Sequence, residues 1–231
     1  MGAQTSAAPD ATEPTTTTLP VDHPGVTELF AVLAYGEISA FYRLAEEAAL
    51  APDLRGRVAV ARMAAAELGH YEVLDAALTA RGVETESVME HYRSALDAYH
   101  ASTDPSTWLE SMVKFYVADG LAADFYTEIA GALPAEVADV VREVLGETSH
   151  SQFVVEEVRN AVAASRSARD RLTLWGRRLL GEAITQAQHV MAQRDELAEL
   201  VLAVTGDLNG IAALFDRMQT SHAARMAELG L

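Results

Sequence analysis

The chain has 231 residues, half of them apolar and few of them aromatic, with a formal charge of -17 and no cysteine. That length can bury one sizeable core, and abundant Ala, Leu and Glu favour helix over strand. Lacking sulfur ligands, the chain is excluded from disulfides, thiolate zinc sites and cysteine-held iron–sulfur clusters; its acidic balance repels polyanions except where basic residues cluster.

Residues 1–23 are rich in Thr, Ala and Pro, with no basic start and no apolar run, so they are predicted to be a disordered tail rather than a secretory signal. No stretch reaches about 18 uninterrupted apolar residues, so no membrane span and a cytoplasmic location are expected. A first helix is predicted from Pro24 to Leu50, with Phe30, Leu33, Phe41 and Leu44 on one stripe. The second begins near Pro52-Asp53 and ends at Arg81, before Gly82. The third follows Asp104-Pro105, read as cap and first turn, and the fourth runs from Pro134 to Ala164. Short links make helices one and two, and three and four, antiparallel hairpins. The crossover between the hairpins is expected to hold a short helix. After Ser165, one helix over 168–202 and another from Gly206-Asp207 to Glu228 are expected to pack on the outside of the bundle. The division expected is thus a core over 24–165 with accessory helices over 166–231, all in one domain.

Each of the four main helices carries an acid in line with its apolar stripe: Glu37, Glu67, Asp119 and Glu147. On helices two and four the acid is followed three residues later by a histidine, His70 and His150, which puts each pair side by side on one face. Buried carboxylates are costly unless paired or bound to metal. Four of them converging at mid-bundle would repel one another, and two divalent cations would remove that repulsion. The depths agree: thirty residues separate Glu37 from Glu67 and twenty-eight separate Asp119 from Glu147, so each pair sits equally far from its turn. About one acid-x-x-His pair is expected by chance at this composition. A third pair, Asp97 and His100, lies in the crossover and is read as structural or solvated. The tyrosines and phenylalanines near the stripes, Tyr35, Tyr42, Phe115, Tyr116 and Tyr126, are read as core packing, and His189 and His222 as packing or surface residues.

Over about residues 24–165, on Glu37, Glu67-Leu68-Gly69-His70, Asp119 and Glu147-Thr148-Ser149-His150, the chain resembles the ferritin-like di-iron carboxylate proteins, most of all the MiaE-like tRNA hydroxylases and their actinobacterial relatives. The implied fold is all-α: a ferritin-like four-helix bundle of two hairpins with a long crossover, plus two C-terminal helices. The implied ligands are Glu37 and Asp119 terminal, Glu67 and Glu147 bridging, and His70 and His150 one to each metal. The family more often has Glu where Asp119 stands, so Asp124 is an alternative on that helix. The implied cofactors are two irons, or iron with manganese at one position, with O2 as co-substrate. The implied activity is hydroxylation of the isopentenyl group of a modified tRNA adenosine, with electrons from a separate reductase. Arg159, Arg166, Arg169, Arg171, Arg177 and Arg178, against the single acid Asp170, form the local basic cluster for a tRNA partner. The alternatives are a ferroxidase or iron-handling protein, or a di-metal oxidase of a small molecule. A ribonucleotide reductase radical subunit is disfavoured because Leu74, not tyrosine, stands one turn after His70.

Overall fold

The structure is a computed structural model, and it describes residues 19–145 and 151–231. Helix α1 (Pro24–Glu47) opens with Pro24 in its first turn, where the missing N–H costs nothing, and the His23 ring nitrogen accepts from the Gly25 amide at 3.0 Å. After a short 3-10 turn (Ala48–Leu50), Asp53 caps α2 (Leu54–Ala80) by accepting from the Gly56 amide at 2.8 Å. Gly82, at φ 73°, supplies the left-handed residue that ends the helix. Arg81 then reaches back to Thr27 Oγ1 and the Val21 carbonyl, tying the end of α2 to the start of α1. These two helices form the most extensive helix pair of the fold.

The crossover holds α3 (Thr85–Ser102), a full helix rather than the short one expected. It packs chiefly on α1 and α7. The next helix, α4 (Trp108–Ala130), starts later than Asp104-Pro105 suggested. Thr107 is the cap: its hydroxyl accepts from the Glu110 amide, while the Glu110 carboxylate accepts from the Ser106 amide. That Thr-x-x-Glu pattern satisfies two orphan donors at once and outcompetes Asp104 as a start signal. The fourth predicted helix is described as α5 (Ala135–Leu145) and α6 (Ser151–Ala164), on either side of 146–150.

The single helix expected over 168–202 is two, α7 (Arg166–Gln193) and α8 (Asp195–Thr205), broken at Arg194, whose backbone is extended. The cause is tertiary: Arg194 makes a two-pronged ion pair with Glu28 of α1, at 2.8 and 3.1 Å, and Tyr92 of α3 donates its hydroxyl to the same carboxylate. Helix α9 (Leu208–Glu228) follows Gly206, at φ 84°, with Asp207 as its cap. These C-terminal helices are not outer decoration. Helices α7 and α9 pack on α4, and α8 packs on α1. Leu172, Leu179, Leu200 and Leu214 are essentially fully buried and belong to the core.

The core divides into two apolar clusters. One is built from the N-terminal half of α1 with α3, α5 and α8; the other lies among the N-terminal halves of α2 and α4 with α6, α7 and α9. Side chains of Phe125 and Met191 touch both. Between them α1 and α4 face each other without close backbone packing, and cavities occupy the space. Among the described residues, no single helix is long and apolar enough to cross a membrane.

Candidate metal centre

Glu37 projects from α1, Glu67 and His70 from α2, and one ligand-type atom of each lies within 4.8 Å of the others. His70 Nδ1 stands 3.2 Å from Glu37 Oε2, with both side chains largely buried. The hairpin explains the meeting: residues equally far from its turn lie side by side in antiparallel helices. Asp119 of α4 lines the same cavity of about 220 Å³, together with Glu37, Glu67 and His70. Asp119 is exposed to the cavity space yet ringed by protein atoms.

Burial dominates the electrostatics. It pushes Glu67 up to about 10, helped by the neighbouring Glu37 and Asp119 charges, and Glu37 up to about 7, where a hydrogen bond from Glu67 partly opposes it. Asp119 is raised by the same desolvation, against the pull of His70 and Arg225. Three carboxylates that resist ionisation together, with one imidazole beside them, suit a cation that takes the place of their protons. An oxygen-rich set with one nitrogen fits iron or manganese. Among the described residues nothing lies within 4 Å of where a Cβ on Gly69 would be.

Glu147 and His150 lie outside the described residues; Val144 and Leu145, the last described residues of α5, line the cavity. Of the two α4 aspartates, Asp119 lines the cavity, whereas Asp124 is ion-paired with Arg225 at 2.5 Å on the side of α9. Asp97 of the crossover accepts from Tyr35 at 2.8 Å, a structural role. Its helical neighbour His100 is half-buried and lines the same cavity as the acids. Burial, together with Lys114 and Arg43, pushes it down to about 3.

His100, Lys114, Arg43 and Glu47 form the far end of the cavity, and sequence reasoning passed over all except His100. Lys114 gave one signal, a lone lysine inside the apolar run "SMVKFYVA". Phe115 and Tyr126, read as core packing, also line the cavity. A second cavity of about 210 Å³ shares the wall formed by Val32, Leu96, Tyr99, Ala118, Ala122 and Tyr126, and beyond that wall its lining is almost wholly apolar. His189 is exposed beside Gln193, and His222 is buried with neither ring nitrogen hydrogen-bonded among the described residues.

All six arginines of the basic cluster are exposed. Arg171 pairs with Glu110 at 3.4 Å and Arg166 with Asp170 at 3.9 Å. Arg178 donates to the Ser102 carbonyl and lies over the Trp175 ring.

Hairpin, crossover and hairpin, with acids and an imidazole from three helices turned into the interior, define a helical-bundle protein of the carboxylate type. The model of the family described as the ferritin-like domain of actinomycetes matches residues 22–204, and the chain belongs to that family. No curated protein matches the chain.

Proposed function

We propose that the chain is a di-metal oxidoreductase that uses O2 to hydroxylate an apolar carbon held between α1 and α4. One observation carries the reading: Glu37, Glu67, His70 and Asp119 line a cavity that shares a wall with a second, largely apolar one. Iron handling alone needs the acids but not the adjoining apolar space. Glu37, Glu67, Asp119 and Glu147 would hold the metals with carboxylate oxygens, and His70 and His150 with imidazole nitrogens. Iron at both positions, or manganese at one, would supply the electron transfer to dioxygen. The balance is one C–H bond, O2, two electrons from a separate reductase and two protons, giving C–OH and water. The apolar walls exclude bulk water from the reacting carbon.

Metal analysis tests this. The purified protein should hold about two irons per chain, and Glu67→Ala or His150→Ala should abolish binding. Stoichiometric zinc, or no metal after expression with added iron, overturns it.

For the substrate, the resemblance points to the isopentenyl group of a tRNA adenosine, and the apolar cavity together with the exposed arginines supports that reading. Mass spectrometry of tRNA nucleosides from cells lacking the gene should show the hydroxylated isopentenyladenosine lost; an unchanged level ends the tRNA reading. A small-molecule substrate is the second reading, and the buried Lys114 favours it.

A further inference from the structure

The cavity has two chemically opposite ends. At one stand Glu37, Glu67, His70 and Asp119; at the other, Arg43 and Glu47 of α1, His100 of α3 and Lys114 of α4. Lys114 is only 5% exposed, and its ammonium makes no hydrogen bond among the described residues. His100 Nδ1 and Arg43 Nε are likewise buried without partners. An unpartnered buried ammonium is strongly unfavourable unless something compensates it.

The protein's own anions do so only in part. Glu47 is engaged by the Ser111 hydroxyl, Glu46 meets Arg43 at the surface, 3.7 Å away, and Asp104 is exposed. Tyr99 offers Lys114 its ring face, 6.0 Å away. Burial pushes Lys114 down from the usual lysine range, with Glu47 and Asp104 pulling the other way and Arg43 adding to the fall.

We propose that Lys114, with Arg43 and His100, anchors the carboxylate of a small organic acid whose apolar chain extends toward Glu37, Glu67 and Asp119. The register sets the scale. Arg43 is six residues beyond Glu37 on α1, and Lys114 is five before Asp119 on α4. At 1.5 Å per residue, the anion lies about 7–9 Å along the bundle from the acids. The reacting carbon is therefore several bonds from the carboxylate, with the shared apolar wall beside the chain. A tRNA phosphate on the surface cannot reach an ammonium buried to this degree.

The use made of the bound acid rests on the di-metal reading, but the anchor does not, so the test runs on full-length protein stripped of metal by chelation. Calorimetric titration compares hexanoate, hexanamide and inorganic phosphate. Hexanoate should bind at least about tenfold more tightly than hexanamide, because only the carboxylate makes charge-assisted hydrogen bonds. It should also outbind phosphate, which has no apolar part. Lys114→Met, nearly isosteric and free of the buried charge, should fold and lose the preference for hexanoate over hexanamide. Arg43→Met provides the same comparison should Lys114→Met fail to fold. Equal binding of hexanoate and hexanamide, equal binding of phosphate, or a preference that survives in the folded lysine variant overturns the proposal. A repeat with iron loaded separates the two readings: protein that takes up no iron yet still prefers hexanoate keeps the anchor and loses the oxidoreductase.

Discussion

Replacing Glu67 with glutamine tests whether the acids share protons when no metal holds them. In the metal-free fold Glu67 is pushed from the ordinary 4.5 up to about 10, and Glu37 up to about 7. Between pH 5 and 7 the unfolded chain ionises Glu67 while the folded chain keeps it protonated. The folded state then holds the extra proton, so this contribution to stability is full below about pH 4.5 and is lost as pH rises, by up to about 1.4 kcal/mol per unit. The glutamine side chain keeps the shape and a hydrogen-bonding amide but does not titrate. The stability of Glu67→Gln relative to the native chain should therefore grow by about 2–3 kcal/mol between pH 5 and 7. At about 2–4 °C per kcal/mol for a chain of this size, the two melting temperatures should diverge by about 5–10 °C. Circular dichroism melts of chelated protein at pH 5, 6 and 7 read this directly. Adding Mn2+ should reverse the order, since the native chain gains stability from binding and the variant does not. Parallel curves in chelator would refute the reasoning, because they would mean that Glu67 is ionised inside the cavity.

Other outcomes follow from the packing. Arg194→Met strips Glu28 of its two-pronged partner and leaves a buried carboxylate with only Tyr92. This should cost about 3 kcal/mol, or roughly 6–12 °C in melting temperature; a loss under about 2 °C would show that the break at Arg194 is set locally. Gly25→Ala places a methyl 2.5 Å from the Glu196 carbonyl and 2.7 Å from Leu200 Cβ. Urea unfolding should show a loss of about 2 kcal/mol as α8 is pushed off α1. Gly69→Ala meets nothing among the described residues and should instead gain about 1 kcal/mol of helix propensity. Equal effects at the two glycines would contradict this account of the α1–α8 approach.

The parts of the fold legible from sequence were those whose signals are local. Pro24, Asp53, Gly82 and Gly206-Asp207 each act on the backbone beside them, so α1, α2 and α9 begin or end close to the predicted positions. The break at Arg194 has no glycine or proline to announce it. Its cause, Glu28, lies 166 residues away. The position of α7–α9 within the core was equally hidden, since an amphipathic helix shows which face it buries but not against what. Glu67 and His70 stood out because two ligand types at helical spacing are rare by chance, and Glu37 because it matched their depth. Lys114 and Arg43 are single charges without such a partner in sequence. Only the facing of α1 and α4 across the cavity brings them to one end of the same space.

Ala118 and Ala122, one turn apart on α4, form part of the wall common to both cavities. A methyl is the smallest side chain a helix carries without loss of propensity, so α4 intrudes on the two cavities there as little as a strong helix former allows. Exchanging either alanine for leucine would keep the helix and take volume from both cavities. The fold thus offers two positions, one turn apart, at which the size of both cavities can be reset without touching the acids, the imidazole or the buried lysine.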